Sequence, residues 1–363
     1  MSLTEDLDNQ EEPSLQPSRE ANQEELRTLQ DALTAQKQEI ISLRVKLEAK
    51  DRELHLQKCT DLNPEILNIS HVPDYFKYCT GFTYDQFNVL CNLFSIPTDP
   101  DAPQTHIPLT YKKIDNEISK LTLRSQLLLT LMKFRQNWDH KDLAFRFKIR
   151  LQSVSTLINS WVDYMFEILG KLSVWPHRDV ISENMPAKFT ELKIEKPSSL
   201  VLQSQTYSTY KSTNTLKSLV ACDPRGALIY VSALFTGSIS DKEIFNRSNI
   251  IDVLKGCVQC GYLNVGDGLM VDKGFLIEKE VEEIGLKLNI PPFARANRQM
   301  PHADVDLTKK IAKHRVHVER AIAKIQFFKI VSGRIPISRL GNINQIWYVV
   351  SMLSNFQPHI IKY

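Results

Sequence analysis

The chain has 363 residues, 42% of them hydrophobic and 24% charged, the composition of an ordinary globular protein with room for two ordered domains and an extension. No apolar run approaches the roughly 18 residues that a membrane span needs, so neither a membrane nor a lipid partner is expected. A net charge of +3 neither requires nor excludes nucleic acid, and six scattered cysteines suit reduced thiols rather than a disulfide framework.

Residues 1–20, rich in Glu, Ser, Pro and Gln, carry too little apolar surface to fold alone and read as a disordered acidic tail, not a secretory signal. A heptad pattern follows over 21–58. Leu26, Leu33, Ile40, Leu47 and Leu54 recur every seven residues, with Leu29, Gln36, Leu43 and Lys50 three places later. With no Gly or Pro inside, this is a coiled-coil pattern, and self-association through 26–54 is expected.

Residues 64–178 read as an all-helical domain with stretches at Leu123–Arg135, His140–Phe147 and Leu151–Leu169. The last two are separated only by Lys148-Ile149-Arg150, the spacing of a helix-turn-helix. Gln152, Ser153 and Ser155 open its second helix, where phosphates and bases are contacted in such motifs. From 187 to 363 the pattern becomes α/β. LKSLVAC and ALIYVSALF read as strands joined by the turn Asp223-Pro224-Arg225-Gly226, Gly268–Val271 as a strand, LIEKEVEEIG as a helix, LKLNIPPF as a strand and 306–328 as a long helix, which implies a mixed sheet. Cys257 and Cys260 form a lone CxxC without a second pair, better read as a loop than as a zinc site.

Three carboxylates stand out: Asp241 in GSISDKEI, Asp272 in LMVDKGF and Glu319 in HRVHVERAI. Acids brought together from a strand end and a helix make an oxygen-rich site for Mg²⁺ or Mn²⁺. Two such ions can clamp the attacking and leaving oxygens of a phosphodiester. Basic residues crowd the same region, and Lys309, Lys313, Arg315 and Arg320 are the expected DNA contacts. The bland alternatives are a strand-end cap for Asp272 and an ion pair with Arg315 for Glu319.

KIEKPSS (193–199), YSTYKSTNTLKSLV (207–220), GALIYVS, GSISDKEI, VDKGF, IPPF and IAKHRVHVERAIAKI (311–325) together resemble the DDE superfamily endonucleases, specifically the Harbinger-type, transposase-derived branch often paired with a THAP zinc finger. KDLAFRFKI and WPHRDVISENMP resemble that family's helper helix-turn-helix segment. The resemblance implies an RNase H-like sheet, metal-dependent strand cleavage, DNA as partner rather than a small-molecule substrate, and residence in the nucleus. It makes Asp272 the second catalytic aspartate and Glu319 the final glutamate, both metal ligands, with Asp241 beside the metal. Two departures stand out. The position of the first catalytic aspartate, three residues before Glu191, is held by Lys188, and the apolar strand that should carry it is truncated from the pattern between Met185-Pro186 and Glu191. The turn of the helix-turn-helix has Lys148 where glycine is usual. The expectation is therefore an endonuclease relative with impaired cleavage. The alternatives are a domesticated non-catalytic binding dimer, or an active nuclease that recruits Glu191 or Asp241 into the vacant place.

Overall fold

The computed structural model describes residues 16–58, 72–96, 121–172, 174–175, 184–209, 211–223, 225–271, 277–290 and 316–358. They fall into two compact units, residues 1–60 and 61–363. Among the described residues the first contains one helix, α1 (Gln16–Lys58). It starts inside the segment expected to be a disordered tail, because Pro17 is tolerated in a first turn and no breaker follows it.

The second unit begins with α2 (Pro73–Thr80) and α3 (Tyr84–Leu93). Gly81 closes α2 at φ 85°, and a capping box between Thr83 and Gln86 opens α3. Helix α4 (Leu123–Gln136) is buried on every side, which is why its apolar residues show no single stripe. Then come α5 (His140–Phe147) and α6 (Leu151–Gly170), close to the expected limits. Trp161 is fully buried.

The sheet has seven strands: β1 (Asn184–Lys193), β2 (Tyr207–Ser208), β3 (Thr213–Cys222), β4 (Leu228–Val231), β5 (Phe235–Thr236), β6 (Gly268–Met270) and β7 (Lys287–Asn289). Between them lie α7 (Leu200–Thr206), α8 (Asp241–Arg247), α9 (Ile250–Gln259) and α10 (Glu278–Glu282). A helix through 316–326, here α11, is followed by α12 (Lys329–Ser332) and α13 (Ile343–Leu353). The main path runs β2-β3-β1-β6-β7, with β4 and β5 also on β3. β1 is antiparallel to β3 and parallel to β6, and β6 is parallel to β7, so the sheet is mixed as expected.

The truncation expected of the first core strand is corrected here. β1 is ten residues long and central: Ala187–Lys193 pair with β3, and Asn184–Pro186 pair with β6. The physical reason is that β3 and β6 would otherwise each expose a row of backbone donors and acceptors inside the fold. The residues flanking the gap in the pattern are drawn in to satisfy them.

Two cores lie on the two faces of the sheet, following the alternation of side chains along β3. Leu216, Val220 and Cys222 pack with the helical segment and with Val318, Ile325, Trp347 and Leu353. Leu219 and Ala221 pack with α8, α9 and α10. The helical segment thus shares one continuous core with the sheet. Polar links reinforce the junction: Lys329 Nζ donates to Gln136 Oε1 at 2.7 Å and Arg339 to Asn137 Oδ1 at 3.1 Å. Inside it, Trp347 Nε1 donates to Ser218 Oγ at 3.0 Å, which in turn reaches the Ser232 carbonyl at 3.0 Å.

Candidate functional site

The strand register places the residue found where the resemblance expects a first acid. Lys188 stands opposite Val220 on β1, two residues beyond Pro186, whose parallel partner is Met270. Asp272 follows Met270 by two residues in the sequence and lies outside the described residues, as do Lys309, Lys313 and Arg315. Glu319 and Arg320 are described, and both are exposed on α11. Val318, Ala321 and Ile325 form the buried side of that helix, and Glu319 lies beside that apolar stripe.

Asp241 is placed on the other side of the sheet. Its helix, α8, packs on the face of Leu219 and Ala221. Ser240 caps the helix by accepting from Glu243 N at 3.2 Å. Asp241 Oδ1 meets Lys217 Nζ at 3.3 Å, and the same ammonium donates to the Ile239 carbonyl at 3.1 Å. Lys242 then reaches Glu280 on α10 at 2.8 Å and holds its carboxyl below the usual carboxylate range. The Ser-Asp-Lys triplet therefore ties β3, α8 and α10 together. Asp241 and Glu319 sit on elements packed against opposite faces, and the structure does not bring them together.

Around Lys217 opens a groove of about 1100 Å³, lined among others by Lys196, Tyr207, Lys217, Gly237, Asp241 and Arg334. Its floor requires a glycine: a Cβ on Gly237 would lie 2.3 Å from Thr215 Oγ1 and 2.6 Å from the Thr206 carbonyl. The sequence reading missed Lys196, Lys217 and Arg334. Lys217 did leave a signal, as the one charge inside the apolar run LKSLVAC. Its side chain is only 15% exposed, so it had to find an acid partner.

Any cation at Asp241 would compete with the Lys217 ammonium already there. Among the described residues no group of three or more His, Cys, Asp or Glu could hold a metal. Cys257, facing into the core, and the exposed Cys260 lie at the C-terminal end of α9 rather than in a loop. Among the described residues no helix is long and apolar enough to cross a membrane.

The helix-turn-helix has its expected form. Lys148 adopts the left-handed conformation (φ 54°, ψ 41°), and the turn closes by a 3.1 Å bond from Ile149 N to the Ala144 carbonyl. The second helix is less free than its sequence implies. Asn159 accepts from Asn342 at 2.9 Å, Asp163 accepts from Gln345 at 3.1 Å, and Phe166 meets Tyr348 edge-on at 5.2 Å. Helix α13 thus occupies its middle and C-terminal turns. Ser153 is buried, whereas Gln152 and Thr156 are exposed and Ser155 is half-buried. The surface left open is the first turn and a half of α6, with exposed Lys148 and Arg150 before it.

Comparison with known families accords with this arrangement. Residues 188–355 match the family described as DDE superfamily endonuclease, a match that starts at Lys188 itself. Residues 119–171 match the helix-turn-helix of DDE superfamily endonuclease. The two matches, in this order, support a transposase-derived protein of the DDE superfamily endonuclease type. No curated protein matches the chain.

Proposed function

We propose that the protein is an endonuclease-like DNA-binding protein of Harbinger-type transposase descent, in which strand cleavage is impaired. The observation that carries this reading is Lys188 on β1. The sheet order, with an antiparallel β3–β1 pair followed by parallel β6 and β7, supports an RNase H-like assignment. On that fold the central strand carries the first catalytic acid. Here the strand is kept and the acid is replaced by a cation. Asp272 and Glu319 are the remaining carboxylates proposed to hold a single Mg²⁺ or Mn²⁺, with Asp241 committed to Lys217. When bound, such an ion would supply Lewis-acid polarisation of a phosphodiester. The protein's own contribution is to bind and orient the duplex through Arg320 and the basic residues 309–315, and through the open first turn of α6. Contacts of this kind are phosphate-directed and salt-dependent. A DNA substrate places the protein in the nucleus.

The engagement of α6 by α13 favours a second reading, a domesticated binding protein that retains no cleavage. One experiment separates the two. Binding of the full chain to a 30-base-pair duplex is followed across salt, and nicking of supercoiled DNA is assayed with Mg²⁺ and Mn²⁺. Salt-dependent binding with slow nicking that Asp272→Ala abolishes supports the residual nuclease. Binding without nicking supports the purely binding protein. The absence of DNA binding at low salt overturns both.

A further inference from the structure

Helix α1 forms a compact unit of its own, and its apolar seam has no cover within the helix. Leu33, Ile40, Leu43 and Leu47 are 52%, 51%, 55% and 62% exposed. We infer that this seam is closed by a second copy of the chain, lying parallel and in register as a two-stranded coil. A seam of more than four heptads at seven-residue spacing is long enough to be stable in pairs and too exposed to be stable singly.

The flanking charges select the orientation. With Leu33, Ile40 and Leu47 at the first core position of each heptad, Glu39 and Lys46 precede that position by one residue, whereas Lys37, Arg44 and Asp51 lie four residues after it. In a parallel pair these flanks meet five residues apart. Glu39 then faces Arg44 of the second copy, and Lys46 faces Asp51 of the second copy, each twice by symmetry. Both contacts are attractive. In the antiparallel pair that stacks Ile40 on Leu43 of the second copy, Lys37 instead faces Arg44 of the second copy, which is repulsive. That arrangement also sets Leu33 against Lys50 and Leu47 against Gln36. The parallel pair places Gln36 on Gln36, where the amides can bond to each other, and Lys50 on Lys50. In a two-stranded coil the long Lys50 stems can carry their ammonium groups out to solvent. A third strand would shut that exit, so the lysine layer limits the assembly to two.

The test uses the full chain in sedimentation velocity over a range of concentrations. The wild type should sediment as a dimer. Ile40→Asp should be monomeric while the thermal transition of residues 61–363 stays where it is. Arg44→Glu discriminates orientation, because the two models give opposite signs. In the parallel pair it turns two attractions into repulsions and should weaken association about tenfold. In the antiparallel pair it would strengthen association. Leu33→Cys, in a background with Cys59 and Cys260 changed to Ser, should form an intermolecular disulfide under mild oxidation. A monomer at all concentrations, a trimer, tighter association of Arg44→Glu, or no disulfide from Leu33→Cys would each overturn the proposal.

Discussion

Replacing Lys188 by Asp supplies the acid that the proposed reading says the central strand lacks. Pro186 pairs with Met270 on the parallel ladder, and for the proposed cation held beside that strand end the spacing of neighbouring strands, about 4.8 Å, sets a working distance of about 5 Å from position 188. At that distance and an effective dielectric constant of about 20, a single positive charge and a divalent cation repel by roughly 7 kcal/mol, and a carboxylate attracts by as much. Solvent and salt at an open strand end reduce this, leaving about 3–4 kcal/mol of net change, or roughly 10²–10³ in cation affinity. The variant should show a manganese-dependent rise in melting temperature that the wild type lacks, because a ligand that binds only the folded state stabilises it. Nicking of supercoiled DNA should rise with it. Lys188→Ala, which removes the repulsion without supplying a ligand, should fall between the two. If Lys188→Asp folds with an unchanged melting temperature and neither binds manganese nor nicks DNA, Lys188 is not the defect and the assignment of β1 is wrong.

Gly237→Ala should destabilise residues 61–363 by about 1–3 kcal/mol in urea denaturation, since its Cβ would meet backbone oxygen at 2.6 Å; a change under about 0.5 kcal/mol would refute the close packing of the groove floor. Lys148→Gly should stabilise by about 1 kcal/mol, because glycine adopts the left-handed turn without the Cβ penalty, offset in part by its freer unfolded chain; an unchanged melting temperature would argue against that conformation. Lys133 is buried beneath the Trp138 carbonyl, and burial, aided by repulsion from Arg339, lowers its pKa to about 8. The folded state therefore binds fewer protons than the unfolded state between pH 8 and about 10.5, and this group's contribution to stability rises with pH across that window. Buried thiols such as Cys222 and Cys257, whose pKa values are raised, oppose it by losing stability above their unfolded pKa. The measurement is therefore the difference in unfolding free energy between wild type and Lys133→Met, which should climb by up to about 3 kcal/mol from pH 8 to 10.5. A flat difference curve would show that Lys133 titrates normally.

Helices α4, α5 and α6 were legible because caps, turn residues and apolar spacing are local properties, and Thr122, Asp139 and Lys148 mark their ends in sequence as they do in space. The helix that contains α11 was legible for the same reason. The charge on Lys188 was equally plain. What it meant for the sheet was not, because the pattern indicated a lost strand. Whether a segment becomes a strand depends on partners far away in the chain, and β3 and β6 offered backbone groups that only residues 184–193 could satisfy. The same limit hid the duties of the Ser-Asp-Lys triplet. Asp241 read as a site residue, yet its partner Lys217 comes from β3, and the next residue, Lys242, is paired with Glu280 on α10.

The sequence by itself determined the long heptad helix, the helix-turn-helix with its strained lysine, the order of the carboxylate motifs and the lysine three places before Glu191. Only the tertiary structure decided that the central strand is present, that the second helix of the helix-turn-helix is largely taken by α13, and that Asp241 belongs to a lysine. Local spacing can specify a helix because its hydrogen bonds close within four residues. A sheet and an ion pair are closed by residues tens of positions away, and their outcome is settled only when the whole chain has packed.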